Sequence, residues 1–146
     1  MTIPFEVVVV SSDLESRRHL SHILVEQGLD PICTSTLREC HEVLGKNRVG
    51  VVFCDPHVSD GSYRDLLSAY RLTDRKPRVV VTSRGADWEE FKEAMRCGAF
   101  DVISSPCRPT DVEWMVIQAR RDERHRLEAP APARTERMEL ARAVNL

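Results

Sequence analysis

The sequence predicts an α/β fold in which a five-stranded parallel sheet is covered by five helices, in three αβα layers. Short apolar runs alternate five times along the chain with segments of helical period, which is typical of strands joined by crossover helices. The runs are not interrupted by polar residues, as expected when both faces of a sheet are covered. Right-handed crossovers bring the carboxyl ends of the strands to one edge of the sheet, so a functional site is expected there.

The first two strands lie in the N-terminal quarter of the chain. The β-branched run Phe5–Val10 is the first strand, and the helix after it ends at Gly28. The weaker run 30–35 (DPICTS) is the second, followed by a helix from Leu37 to about Gly45. The apolar faces of the two helices contain Leu20, Ile23, Leu24 and Gln27, then Leu37, Cys40, Val43 and Leu44.

The remaining strands are equally short. Gly50–Asp55 is the third, Arg78–Ser83 the fourth and the run 100–104 (FDVIS) the fifth. A short helix follows the third strand, and a helix over Trp88–Cys97 follows the fourth. The apolar positions predicted to face inward are Leu66, Leu67 and Tyr70 in the third helix, Phe91, Ala94 and Met95 in the fourth, and Val112, Met115, Val116 and Ala119 in the last.

Three helix starts carry a capping side chain answered by a glutamate three residues later. The pairs are Ser12 with Glu15, Thr36 with Glu39, and Asp87 with Glu90. At the other end of the chain, we expect the domain to span 4–127. The segment 128–146 then forms an Ala/Pro linker and a short tail, either frayed or weakly amphipathic and helical.

Composition narrows the class of protein. The 146 residues are 42% hydrophobic and 30% charged, with a formal net charge of −2. That balance suits one globular domain and gives no reason to expect direct binding of nucleic acid. No apolar stretch has the length of a membrane span and no signal-peptide pattern begins the chain, so we expect a cytoplasmic protein without a membrane partner.

The five cysteines indicate neither a disulfide framework nor a structural zinc site. They are widely spread, odd in number and never arranged as CxxC. Buried free thiols are the expected state, including that of Cys54 beside Asp55. His19 and His22 are expected on the surface or half-buried rather than at a metal.

The strand ends supply hydroxyl groups around one carboxylate. Asp55 follows the third strand, and no base or second acid is evident beside it. The polar residues at the other strand ends are Ser11, Ser12 and Asp13 after the first strand, Thr82 and Ser83 on the fourth, and Ser104 and Ser105 before Pro106 on the fifth.

Three segments resemble receiver domains of two-component response regulators, over about residues 5–125. They are 55–62 (DPHVSDGS), 79–85 (VVVTSRG) and, most specifically, 93–112 (EAMRCGAFDVISSPCRPTDV). The resemblance implies strand order 2-1-3-4-5 and Asp55 as candidate phosphoacceptor. It also implies a switch hydroxyl at Thr82, a backbone carbonyl ligand for metal at His57, and a cis peptide before Pro106.

This sequence departs from the family at four positions. Ser11 and Ser12 replace two acidic residues that hold Mg²⁺, Ser105 replaces a lysine, and Val102 replaces a switch aromatic. Mg²⁺ prefers carboxylate oxygens, and phosphoryl transfer needs positive charge on the moving oxygens. The sequence therefore predicts weakened Mg²⁺ binding and an atypical, phosphorylation-deficient receiver, in which Ser12 serves as a helix cap.

Two readings of Asp55 stay open. It is either a residual polar group hydrogen-bonded among Thr82, Ser83 and Ser105, or a working phosphoacceptor with Asp13 as a replacement metal ligand. The second reading makes the chain a conventional receiver, phosphorylated by a sensor histidine kinase and controlling an output such as transcription. The chain is also compatible with an excised regulatory part of a longer protein.

The expected partner is a protein: a sensor kinase, an output domain or a second copy. The resemblance implies that it binds through the fourth helix, fifth strand and fifth helix. The charged run Arg120–Arg126 is expected to be a solvated helix end with mixed-sign pairs. A small hydrolase using the hydroxyl-rich pocket is disfavoured, because no Gly-rich phosphate loop or nucleophile–base set is present. We therefore expect no enzyme activity beyond self-phosphorylation or dephosphorylation of Asp55.

Overall fold

A parallel sheet of five strands forms the centre of the computed structural model, which describes residues 5–74, 76–85 and 87–128. The sheet order is β2-β1-β3-β6-β7, and β4 and β5 form a separate two-residue antiparallel hairpin. Counted over the sheet alone, this is the predicted order 2-1-3-4-5. The strands are β1 (Glu6–Val10), β2 (Ile32–Thr34), β3 (Val49–Cys54), β4 (His57–Val58), β5 (Gly61–Ser62), β6 (Val79–Ser83) and β7 (Asp101–Ser104).

Helices cover both faces, which confirms the three-layer prediction. The helices are α1 (Leu14–Glu26), α2 (Leu37–Lys46), α3 (Tyr63–Ala69), α4 (Trp88–Arg96) and α5 (Pro109–Glu128). Alternate residues of each strand face opposite sides: Val7 and Val9 pack with α1 and α5, whereas Val8 and Val10 pack with α2, α3 and α4.

Helix capping follows the sequence at two of the three predicted starts. The Thr36 and Asp87 side chains accept hydrogen bonds from the backbone N–H groups of Glu39 and Glu90. The prediction for Ser12 is wrong, because Asp13 is the N-cap of α1 and its carboxylate accepts from the N–H of Ser16. A carboxylate one residue later reaches the first turn, and this leaves the hydroxyl of Ser12 available to other loops.

The C-terminal half of α5 is tied to the sheet by ion pairs. Arg78, just before β6, is buried and donates from Nε to Asp122 and from Nη1 to Glu123, which also accepts from Arg48. The expectation of a solvated helix end is therefore wrong at Glu123, which is buried, whereas the Asp122 side chain is 55% exposed. Their partners come from the starts of β3 and β6 rather than from α5.

The structure also tests the predicted inward face of α4 and the predicted absence of a membrane span. Met95 was predicted to face inward, but it is 39% exposed, while Ala94 is buried. None of the helices within the described residues has the length and apolarity needed to cross a membrane. The predicted linker and tail span 128–146; Glu128 is the last residue of α5, and 129–146 lie outside the described residues.

Candidate functional site

Asp55 lies at the carboxyl edge of the sheet and joins three strands. It follows β3, is half-buried, and accepts a hydrogen bond from a neighbouring strand end on each carboxylate oxygen. Ser11 Oγ, after β1, lies 2.5 Å from Oδ2, and Thr82 Oγ1, in β6, lies 2.7 Å from Oδ1. Both hydroxyl residues are buried. The carboxylate is thus satisfied by the protein itself.

Ser12 does not face Asp55. Its hydroxyl donates to the carbonyl of Ser35 and accepts from the N–H of Ser59, each at 2.9 Å. These contacts connect the loop after β1 to the loop before α2 and to the hairpin. The carboxylate of Asp60 reinforces the same connection by accepting from the first two N–H groups of α2, those of Leu37 and Arg38. Neutral side chains and one carboxylate therefore hold these loops together.

Asp13 is engaged at the start of α1. Its Oδ2 accepts from the hydroxyl of Ser16 at 2.6 Å and pairs with Arg84 Nη2 at 3.0 Å. The hydrogen bonds from the side chain and backbone of Ser16, with the charge of Arg84, hold the pKa of Asp13 below its usual value. The carboxylate needed for the replacement-ligand reading is already bound by a hydroxyl, a backbone N–H and a guanidinium.

The predicted hydrogen bonds from Ser83 and Ser105 to Asp55 are not found. Ser83 is buried and donates instead to Glu90 of α4 at 2.8 Å. Ser105 donates its backbone N–H to the carbonyl of Ser83 at 2.9 Å. Its peptide bond to Pro106 is cis, as the resemblance implied. Since side chains alternate along a strand, Thr82 and Ser83 face different partners, and this places Thr82 alone on Asp55.

The residues present do not fit a Mg²⁺ site. Magnesium in proteins is usually bound by one or two carboxylates and several waters, and both carboxylates here are already engaged: Asp55 accepts from Ser11 and Thr82, and Asp13 pairs with Arg84. No group of three His, Cys, Asp or Glu side chains converges on a common point among the residues that the structure describes. The side chain of His57 is exposed.

A cavity of about 420 Å³ adjoins Asp55 and extends toward α1 and the start of α5. Arg84 and His19 lie in its wall, and His19 Nε2 is 2.9 Å from the carbonyl oxygen of Cys107. Sequence reasoning missed Arg84 and Glu90 as members of the site. Arg84 directly follows β6, so its place at a strand end could have predicted it as a site residue. The contact of Glu90 with Ser83 depends on how α4 packs and could not be predicted in this way.

The neighbouring thiols are unsuited to nucleophilic chemistry. Cys54 is buried, its Sγ donates to the carbonyl of Asp55, and burial raises its pKa. Burial likewise raises the pKa of Cys107 to about 12. A thiol that is not ionised at neutral pH is a poor nucleophile. Free and buried thiols were predicted, but Cys33 is exposed and Cys97 half-buried.

Known proteins similar to this chain are bacterial regulators. The transcriptional regulatory protein DpiA of Escherichia coli (strain K12) is 26% identical over 108 residues, which is 73% of this chain and 48% of DpiA. The chain thus spans about half the length of this curated relative. No family model matches the sequence.

Solved structures show the same fold. The chemotaxis response regulator CheY4 of Vibrio cholerae superposes with a TM-score of 0.71 at 18% identity, over 81% of this chain and 99% of that one. The beryllofluoride-activated NtrC4 receiver domain dimer gives a TM-score of 0.70 at 22% identity, over 78% and 94%. Strand order and structural neighbours agree that this chain has the fold of response-regulator receiver domains, and its curated relatives are regulatory proteins.

Proposed function

We propose that this receiver domain is not phosphorylated on Asp55 and that it acts through protein–protein interaction. The observation that carries the proposal is the pair of hydroxyl groups on Asp55. Ser11 and Thr82 donate to its two carboxylate oxygens at 2.5 and 2.7 Å. With both oxygens engaged by neutral donors, Asp55 connects β1, β3 and β6 as a structural element.

Among the residues that the structure describes, no unpaired guanidinium or ammonium group lines the cavity beside Asp55. A transferring phosphoryl group requires cations at its oxygens. Arg84 is the guanidinium in the wall of the cavity, and it pairs with Asp13 and Ser16. The lysine of the family is Ser105 here. These features support a receiver whose state does not depend on phosphate.

Intact-protein mass after incubation with acetyl phosphate and Mg²⁺ tests the proposal. We expect no phosphate adduct on the wild-type chain or on Asp55→Asn. A variant with Ser11→Asp, Ser12→Asp and Ser105→Lys should gain an adduct, because it regains the metal ligands and the cation. Adding Asp55→Asn to that variant should abolish the adduct.

A phosphate adduct on the wild-type protein that is absent from Asp55→Asn would contradict the proposal. It would instead support the conventional receiver, phosphorylated by a sensor histidine kinase and acting on an output such as transcription. DpiA is a transcriptional regulatory protein, so a transcriptional output is the corresponding proposal for a longer protein that contains this domain.

We infer that the interaction surface is the face formed by α4, β7 and α5. Large apolar side chains are exposed there, and surface tryptophans are frequent anchors of protein interfaces. Trp88 is 66% exposed and stacks on Phe91 with ring centroids 5.5 Å apart, and Trp114 on α5 is 53% exposed. Met95 and Ile117 extend the apolar area on the same two helices.

Truncation of the tryptophans tests this surface. Sedimentation velocity over a concentration series measures self-association, and a two-hybrid screen followed by titration measures binding of another protein. We expect Trp88→Ala and Trp114→Ala each to weaken the interaction at least tenfold, a typical effect of a buried interface anchor. Leu72→Ala, at a side chain 83% exposed outside this face, is the matched control. Unchanged binding in both tryptophan variants would exclude this surface.

A further inference from the structure

A second cavity lies at the opposite edge of the sheet from Asp55. It measures about 460 Å³, and its wall contains residues next to the starts of β3 and β6 and residues of α5. Cavities of this volume are in the range that holds small-molecule ligands. The proposed signalling function does not use this basal cavity.

The wall of the basal cavity contains a buried guanidinium with one unused nitrogen. Arg78 is 7% exposed, and its Nε and Nη1 donate to Asp122 and Glu123. Its Nη2 is shielded from solvent and has no acceptor among the described residues. Buried donors without an acceptor are rare in native proteins, so Nη2 calls for an acceptor that the described part of the chain does not provide.

Two other cations of the cavity wall have no carboxylate partner among the described residues. Glu123 is already shared between Arg78 and Arg48, and within the described ranges neither Lys76 nor Arg126 forms an ion pair with a carboxylate. The wall holds four cations and the carboxylates Asp74 and Glu123, and two more carboxylates lie next to it: Asp122, which pairs with Arg78, and Glu6, which pairs in register with Val49 of the wall. The numbers of positive and negative groups are therefore equal, and an anion is favoured by the two cations of the wall without an ion-pair partner in the described ranges, Lys76 and Arg126.

We propose that the basal cavity binds a small soluble anion through a phosphate or carboxylate group. Lys76 and Arg126 hold that group by charge-assisted hydrogen bonds, and Nη2 of Arg78 is a further donor at the wall. The small movement that admits a ligand oxygen beside Nη2 also gives this nitrogen its acceptor. The site is separate from Asp55, so it does not depend on whether Asp55 is phosphorylated.

Calorimetric titration of the full chain at constant ionic strength tests the proposal, with inorganic phosphate, pyrophosphate and citrate as probes. Comparison of citrate with the two phosphates distinguishes a carboxylate ligand from a phosphate ligand. We expect saturable binding of at least one probe, weakened tenfold or more in Lys76→Ala/Arg126→Ala. Both residues are exposed, so the fold should persist and can be checked by circular dichroism.

Two controls separate a built site from diffuse charge. Arg84→Ala/Lys92→Ala removes two cations that are absent from the wall of the basal cavity, and it should bind like the wild type, as should Asp55→Asn. The proposal is overturned if no probe binds saturably, or if both double variants weaken binding equally. Loss of anion binding in Asp55→Asn would also overturn the proposal, because the anion would then bind near Asp55 rather than in the basal cavity.

Discussion

Asp55 illustrates how hydroxyl neighbours change the role of a carboxylate. In a cluster of acids, removal of one carboxylate relieves repulsion. Here the neighbours are the donors Ser11 and Thr82, both buried. Loss of the carboxylate leaves Thr82 without its acceptor and leaves Ser11 only the carbonyl oxygen of Asp13 at 3.2 Å, and an unpaired buried polar group is unfavourable. The stability of variants at Asp55 therefore distinguishes a carboxylate repelled by neighbouring acids from one that accepts hydrogen bonds from hydroxyl groups.

We predict that Asp55→Ala lowers the free energy of unfolding by about 1–3 kcal/mol, the usual cost of leaving buried polar groups unpaired. Urea unfolding of Asp55→Ala, Ser11→Ala and the double variant measures it. The double variant should be less destabilised than the sum of the single variants, because both remove the same hydrogen bond. A more stable Asp55→Ala protein would show that repulsion dominates the site.

Asp60 makes the stability of the folded protein depend on pH. Hydrogen bonds from the backbone N–H groups of Leu37 and Arg38 hold its pKa below the usual value. A lowered pKa in the folded state means that the contribution of Asp60 is fully present above the unfolded-state pKa and is lost as pH falls through the folded-state value.

We predict that Asp60→Asn is less stable than the wild type at neutral pH and that the difference shrinks on the acid side of the ordinary aspartate pKa. Chemical denaturation across this pH range measures both proteins. Glu42→Gln, at an exposed ion pair within α2, is the control and should show little difference at any pH. A stability difference between Asp60→Asn and wild type that grows as pH falls would contradict a lowered pKa of Asp60 in the folded state.

At the scale of elements, the last turns of α5 are attached to the sheet by Arg78, just before β6, and by Arg48, just before β3. Burial opposes ionisation of Glu123, but the hydrogen bond and charge of Arg78, helped by Arg48, hold the pKa of Glu123 below its usual value. Removing one partner of a buried ion pair leaves the other charge uncompensated and is costly.

Arg78→Met should therefore lower the free energy of unfolding by about 3–5 kcal/mol. It should also speed hydrogen exchange in the last turns of α5. Arg48→Met should cost about 0–1 kcal/mol, because the Arg48 side chain is 48% exposed and its pair is screened by solvent. Denaturant unfolding and exchange mass spectrometry report both quantities. Equal effects of the two substitutions would show that burial of Arg78 does not control the attachment of α5.

At the scale of the whole molecule, the loops at the carboxyl ends of the strands are joined by hydrogen bonds between side chains and backbone and by an ion pair. Ser11, Ser12, Asp13 and Asp60 connect the loops after β1, β2, β3 and β6 through hydrogen bonds. Ser83 adds a bond to α4 through Glu90. The expected consequence is an edge whose conformation does not require a bound cation.

We predict that millimolar Mg²⁺ leaves the melting temperature of the wild-type domain unchanged. A ligand stabilises a fold only when its concentration is comparable to or above its Kd for the native state, and the carboxylates that would bind Mg²⁺ here are already engaged. Ser11→Asp/Ser12→Asp should be less stable without metal and should regain stability with Mg²⁺. Differential scanning fluorimetry with and without EDTA measures both effects. A clear rise for the wild type would indicate a metal site that these contacts do not reveal.

The fold and the position of Asp55 could be predicted from the sequence because both depend on local patterns. Unbroken apolar runs such as Phe5–Val10 specify strands covered on both faces. The polar residue that ends each run must then lie at one edge of the sheet. The cap residues Thr36 and Asp87 were predicted for the same reason, since a cap interacts with backbone three residues away.

Tertiary structure alone decided which side chains contact one another. Ser12 was predicted as a cap, but Asp13 occupies that position and Ser12 joins two distant loops. Ser83 bonds Glu90 rather than Asp55, and Glu123 is buried against Arg78 rather than solvated. Each of these contacts joins residues brought together by sheet order and helix packing. Sequence periodicity determines which face of an element is apolar, but only the packed structure determines which polar side chain across the gap is within hydrogen-bonding distance.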